Sequence, residues 1–306
     1  MPCRGQALCY NRGMRLKIIL NPAAENGVAG KKCWPKVKAF LEQKGVEYSM
    51  DQTLAPGDGT IQTSRALKEG YDTIVSMGGD GTASEVINAL VGSDVNFGII
   101  PCGVGNDFVK VIGLSRKNII DSVETILRGY TRKIDLGSVN GRYFFNMIGI
   151  GFDGEVAEKK ARSYRFIKGF WAYYAQVIPL LFMYRPKPVH IEMNGVTMDT
   201  TILFLTVGNG RYSGGGFKLT PLSEIDDGLF DVCLVHYPGL FNLFRHVNKV
   251  PKGKHIKLPF VFYLRTDRIK ITSEVMLPAH IDGEVARSRE FDIRMIPRSL
   301  NVIVKR

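Results

Sequence analysis

The chain has 306 residues, enough for two ordinary domains, and its 45% hydrophobic and 23% charged residues exclude a disordered polymer. Lys and Arg number 41 against 29 Asp and Glu, a net charge of +12. That excess favours an anionic partner, whether a membrane surface, a nucleic acid or a phosphorylated ligand. Five scattered cysteines (Cys3, Cys9, Cys33, Cys102 and Cys233) without CxxC spacing argue against a disulfide framework or a zinc site. A reducing cytoplasm is the expected compartment, and the apolar run Leu16–Leu20 is too short and too charged, with Lys17, for a signal peptide.

In chain order, residues 1–13 show no periodicity and read as a disordered extension, or a misplaced start, ahead of Met14. LKIIL (16–20) reads as a buried parallel strand, followed by a glycine-containing loop and a helix from about 32 to 43. A strand near 47–50, a helix over 59–68, the strand DTIVSM (72–77), a helix over 82–90 and the strand NFGII (96–100) continue the alternation. Short βα units of this kind predict an α/β domain over 14–131 built on a doubly wound parallel sheet, with its strand-end loops along one ligand-binding edge.

From about 132 to 306 short strand-like runs dominate: KIDLGSV, RYFFNMIG, PVHIEM, TILFLTVG, LFDVCLV, RIKITS, FDIRMI and NVIVKR. NG and DG turns at Asn140, Asn194, Asp227 and Asp282 separate them, which predicts a C-terminal β-sandwich domain interrupted by one helix over 163–183. The longest greasy stretch, Phe166 to Tyr184, is broken by Lys168, Gln176 and Pro179, against a membrane span. Its aromatics lie among Arg162, Arg165, Lys168, Arg185 and Lys187, a mixture suited either to an anionic lipid surface or to packing on the sandwich.

The sharpest motif is GGDGT, Gly78, Gly79, Asp80, Gly81 and Thr82, between a predicted strand and a predicted helix. Glycines there let backbone N–H groups approach a phosphate, and the helix adds its positive end. Asp80 is suited to Mg²⁺ or its waters rather than to the phosphate itself. The plain alternative is a strand-to-helix turn. A second glycine turn, PCGVGNDF (101–108), follows the next strand and belongs beside the first on the same edge. No GxxxxGK[ST] loop occurs in the chain, and GGDGT itself is not a GxGxxG fingerprint.

NPAAENG (21–27), GGDGT, PCGVGNDF, GIGFDGEV (149–156), NGRYSGGGFKLTP (209–221), DDGLFDV (226–232) and HIDGE (280–284) occur in one order. In that order they resemble the bacterial diacylglycerol-kinase-like lipid kinases, which are similar to sphingosine and ceramide kinases, over nearly all of residues 16–306. The resemblance implies a phosphofructokinase-like nucleotide domain and a β-sandwich, ATP in the cleft between them, and a last strand near 300–304 that returns to the first domain. Carried over, nucleotide contacts fall at Asn21, Thr53, Gly78 to Thr82 and Val104. Val104 stands where the family usually has Thr, which leaves only a backbone contact, and Ser84 stands where it usually has Asn.

The DDGLFDV stretch resembles the family's structural Mg²⁺ loop. Its ligands would be Glu224 and Leu229 by main-chain oxygens and Asp227 by its carboxylate, against the alternative of a metal-free DG turn. HIDGE supplies two carboxylates; by resemblance Glu284 is the catalytic base for a lipid hydroxyl, with Asp282 as neighbour or substitute, against the alternative of a polar hairpin tip. The expected reaction is ATP-dependent phosphorylation of a primary hydroxyl on diacylglycerol or a similar membrane lipid, at the inner membrane face and without nucleic acid; a homodimer is left open. An NAD kinase shares GGDGT, but the GNDF turn and the late DGE argue against it. A non-catalytic nucleotide- or lipid-binding protein would have no need of carboxylates at 282 and 284.

Overall fold

The structure, a computed structural model, describes residues 13–103, 105–163 and 179–306. The predicted extension before Gly13, the nucleotide contact at Val104 and residues 164–178 of the predicted helix lie outside the described residues. The chain divides into two compact units, residues 1–134 with 298–306, and residues 135–297.

The first unit is an α/β layer structure. Strands β1 (Leu16–Leu20), β2 (Tyr48–Gln52), β3 (Thr73–Gly78) and β4 (Asn96–Pro101) form a parallel sheet in the order β2-β1-β3-β4. The end of the last strand of the chain, β14 (Glu284–Ile303), extends this sheet, with Asn301 opposite Asn96 and Val302 opposite Phe97, again parallel. Helices α1 (Ala24–Val28), α2 (Trp34–Gln43), α3 (Asp58–Lys68), α4 (Asp80–Leu90) and α5 (Ile119–Arg128) connect the strands. Leu16, Ile18 and Leu20 of β1 pack with Val75, Met77 and Ile100 and with Val37, Leu41, Val123 and Ile126 of α2 and α5. Lys17 is buried in the same strand because its ammonium pairs with Asp51 at 2.8 Å and Ser49 at 3.1 Å.

Local chemistry accounts for the element boundaries. Helix α3 begins at Asp58 because Glu85 of α4 accepts the N–H groups of Gly57 and Gly59, both at 2.8 Å, which are orphan donors of its first turn. Helix α5 is not among the elements expected from the sequence, although its stops are visible there. Asn118 caps it by accepting the N–H of Asp121, and Gly129 ends it at φ 68°. The predicted helix over 32–43 is shorter, because a π-turn over Ala29–Cys33 precedes it.

The second unit is a β-sandwich. Its main sheet runs β12 (Val261–Thr266), β11 (Phe230–Val235), β10 (Phe204–Gly208), β7 (Met147–Gly151), β13 (Arg268–Ile281), β14, with all neighbours antiparallel. The hairpin β8 (Lys187–Met193) and β9 (Val196–Ile202) adds to β13, and β5 (Thr131–Val139) pairs with β6 (Arg142–Phe144) and β14. Alternate residues of these strands make one core, in which Phe144 and Phe230 stack with centroids 5.6 Å apart. RYFFNMIG is two strands rather than one, broken at Phe145 and Asn146, and FDIRMI and NVIVKR are one continuous strand. Asn140, Asn194 and Asp282 take positive φ of about 50° as hairpin turns demand; in the Asp227 turn it is Gly228, φ 77°, that does so. Helix α6 (Phe152–Ser163), not among the predicted elements, begins inside GIGFDGEV, immediately after β7. It crosses β13 at backbone contact, since a Cβ on Gly154 would lie 2.3 Å from the Ala279 nitrogen.

Candidate active site

In the first unit the carboxyl ends of the strands gather the predicted nucleotide residues. Connections leave the sheet in opposite directions from β1 and β3, so the crevice of an open parallel sheet falls between those two strands. Asn21 follows β1 there; its N–H donates to the Met77 carbonyl at 3.0 Å and its Nδ2 to the Thr82 hydroxyl at 3.2 Å. Thr53 follows β2, buried, with its N–H on the Leu20 carbonyl at 2.8 Å. Gly79 is the N-cap of α4, in an extended conformation and without a side-chain cap, at a helix N-terminus whose dipole favours an anion. Ser84 is buried within the same helix.

The two glycine turns lock together. A Cβ on Gly103 would meet the Gly79 Cα at 2.5 Å, and one on Gly105 would meet Asp80 Oδ2 at 2.6 Å. Asp80 Oδ2 accepts the N–H of Asn106 at 2.8 Å. Asn106, at φ 47°, accepts the Gly103 N–H on its side-chain oxygen at 2.7 Å. Asp80 therefore clasps the second turn, a role that sequence reasoning did not assign to it.

In the second unit HIDGE is a two-residue hairpin between β13 and β14, with Ile281 opposite Glu284. Its two carboxylates differ sharply. Asp282 is buried and accepts three backbone N–H groups, from Phe145 at 2.9 Å, Asn146 at 3.0 Å and Met147 at 2.9 Å. Burial pushes its carboxyl up to about 6, and the three N–H donors and His280 hold it from rising further, so it is ionised at neutral pH. Glu284 is part-exposed and ion-pairs with Arg142 of β6. Asp282 thus anchors the hairpin, and Glu284 is the more exposed of the two carboxylates.

Two residues missed in the sequence stand beside this hairpin. The Gly283 N–H donates to His280 Nδ1 at 3.3 Å, so Nε2 carries the imidazole proton and donates to Asp153 Oδ2 at 3.0 Å. Asp153 sits in the first turn of α6, where the helix dipole favours a carboxylate. It also lines a cavity of about 180 Å³ whose walls are Phe152, Leu203, Phe217, Val235, Leu258 and Phe260 among others. The only available signal was the GFDGE run itself, which carries an acid just after a glycine-rich strand.

Glu224, Asp227 and Leu229 lie in the loop before β11. Gly228 donates to Asp135 Oδ2 at 2.7 Å, and Asp227 pairs with Arg265. Asp231, completely buried 3.8 Å from the same Arg265, has its pKa pushed up by burial, while hydrogen bonds from the Tyr263 and Ser223 hydroxyls act to lower it. No group of three or more His, Cys, Asp and Glu side chains among the described residues is arranged to hold a metal. Asp227 Oδ1 accepts the Leu229 N–H at 3.1 Å and Oδ2 pairs with Arg265, so a cation held by the main-chain oxygens of Glu224 and Leu229 and by Asp227 would have to displace Arg265. The donors are all oxygen, the type that suits a hard divalent ion.

Residues 15–139 match the model of the diacylglycerol kinase catalytic domain, and residues 146–304 match that of the YegS C-terminal NAD kinase beta sandwich-like domain. The chain is 31% identical over 292 residues to the diacylglycerol kinase of Bacillus subtilis strain 168, covering 95% of this chain and 96% of that one. It is 33% identical over 272 residues to the diacylglycerol kinase of Staphylococcus carnosus, covering 88% of each. The chain belongs to the diacylglycerol kinase family. A crystal structure of a diacylglycerol kinase from Bacillus anthracis superposes with TM-score 0.71 at 22% identity, covering 96% of this chain and 98% of that one, and shows the same fold.

Within this kinase fold the buried Asp282 is a stability element. In Asp282→Asn the amide oxygen can still accept from Asn146 and Met147, but the amide NH₂ faces the Phe145 N–H. A buried donor left without its acceptor costs about 1–3 kcal/mol, so thermal denaturation should shift down by several degrees. An unchanged melting temperature would show that the three N–H groups are satisfied some other way.

Proposed function

We propose that this kinase transfers the γ-phosphoryl group of ATP to a primary hydroxyl of diacylglycerol or a closely similar lipid. The observation that carries the choice of acceptor is the cavity beside Asp153. Its walls are mostly phenylalanine, leucine and valine, with Asp153, Ser213, His246 and His255 among the exceptions, a lining suited to an alkyl chain with a polar end, which favours a lipid over NAD.

The first unit holds the nucleotide: N–H groups of Gly79 to Thr82 meet phosphate oxygens, with Asn21 and the Asp80-clasped second turn keeping the glycine backbone in place. The second unit presents the acceptor. Asp153, oriented by the His280 Nε2–H, accepts a hydrogen bond from the polar end of the lipid whose chain fills the cavity. Glu284, steered by Arg142, takes the proton of the reacting hydroxyl as its oxygen bonds to the γ-phosphorus and the bond to the bridging oxygen of ADP breaks. Mg²⁺, when bound with ATP, neutralises phosphate charge.

Glu284→Gln keeps size and hydrogen bonding but removes the proton acceptor. The turnover number should fall about 10²–10⁴-fold with the KM for ATP nearly unchanged. A variant that keeps most of its activity eliminates Glu284 as the base.

The Asp227 loop is proposed as a structural Mg²⁺ site, separate from the chemistry. A metal that binds only the native state raises stability by mass action, about 2.7 kcal/mol at a hundred times Kd, so Mg²⁺ should raise the melting temperature of wild type by several degrees. Asp227→Asn should lose that rise. No rise in wild type, or an equal rise in the variant, counts against the site.

A further inference from the structure

Residues 232–266 contain six Lys and Arg and no Asp or Glu, in a chain where 29 acids are spread over 306 residues. The segment folds as the short helix Leu240–His246 followed by two 3₁₀ turns, Val247–Lys252 and Lys254–Lys257. It carries large apolar side chains in water: Phe241 is 75% exposed and Phe244 38%. They lie three apart on the helix, on one face, with Arg245 beside them. Phe182 and Met183, 60% and 78% exposed, extend the patch, and the Phe182 ring packs on Phe244 with centroids 5.7 Å apart. Lys252, Lys254 and Lys257 are exposed along the turns that follow.

Exposed aromatics next to unopposed cations meet two requirements of a bilayer interface at once. The rings enter the headgroup region and the ammonium groups stay with anionic phosphates. The same helix lines the apolar cavity through Leu243 and Phe244, so the patch borders the cavity. A second copy of this chain is a poor occupant, because a face without acids on a chain of net charge +12 repels itself. A nucleic acid would match the charge but has no use for an alkyl-sized cavity beside it.

We propose that the helix Leu240–His246, the basic turns after it and Phe182–Met183 form the surface by which this protein docks on anionic phospholipid bilayers, bringing the cavity to the acyl layer. The surface is independent of the lipid-kinase reading; only the acyl chain as the cavity's occupant rests on it.

Co-sedimentation with vesicles of phosphatidylcholine alone, or with phosphatidylglycerol added, tests this at low and high salt. Wild type should bind the anionic vesicles and weaken at high salt. Reversing three cations in Lys252→Glu/Lys254→Glu/Lys257→Glu should weaken binding about a hundredfold or more, and Phe182→Ser/Phe241→Ser about tenfold. Both variants should keep the wild-type melting temperature, because the changed side chains are exposed. Folded variants that bind vesicles as wild type does would overturn the proposal, and so would tighter binding to a single-stranded oligonucleotide than to anionic vesicles. Phosphorylation of a short-chain, monomeric diacylglycerol separates the two readings. Loss of vesicle binding in the variants, with no phosphorylation even by wild type, keeps the surface and rejects the lipid kinase. Phosphorylation by wild type, with variants still binding vesicles, does the reverse.

Discussion

Three backbone N–H groups, from Phe145, Asn146 and Met147, converge on the carboxylate of Asp282, and the functional half of the second unit is arranged around that contact. A carboxylate buried without donors would give up its charge; with three it remains ionised and ties the β6–β7 break to the β13–β14 hairpin. Everything nearby inherits its position. Glu284 follows on the hairpin, opposite Ile281, and meets Arg142 from β6. His280 precedes it and aims its Nε2–H at Asp153, whose helix can lie against β13 only because residue 154 is glycine.

The first unit solves a different problem with the same economy of side chains. A phosphate site made of backbone N–H groups needs glycine at the closest approaches, but glycine is the least constrained residue. Here the turns are fixed from outside: Asp80 and Asn106 cross-link them, Thr82 fills the space that a Cβ on Gly78 would take, and Asn21 joins the β1 end to the α4 start. The freedom that would make such a loop costly to order on binding is largely removed beforehand.

The sequence carries the first unit's sheet almost residue by residue, because buried parallel strands and their glycine turns are local patterns. It was less legible where a long-range contact decides the outcome. Helix α3 starts on a cap lent by Glu85 from another helix, and α6 begins inside a motif that also reads as a strand end. The two carboxylates of HIDGE look alike in the sequence. Only the approach of residues 145–147, more than 130 positions away, makes Asp282 a buried anchor and leaves Glu284 the more exposed. Asp153 escaped notice for the same reason, since its partner His280 is distant in the chain. The basic and aromatic surface was sought in residues 166–184, of which 166–178 lie outside the described residues; the proposed surface joins Phe182 and Met183 to a run over 232–266 that is visible in the sequence only when absent acids are counted.

The proposed phosphoryl acceptor is a membrane lipid hydroxyl. The most direct measurement incubates the protein with γ-labelled ATP and a panel of acceptors in mixed micelles: diacylglycerol, phosphatidylglycerol, a sphingoid base, a polyprenol and NAD. Label should pass to a lipid, with diacylglycerol foremost, and NAD should remain unlabelled. Label on NAD, or on none of the lipids, would contradict the account.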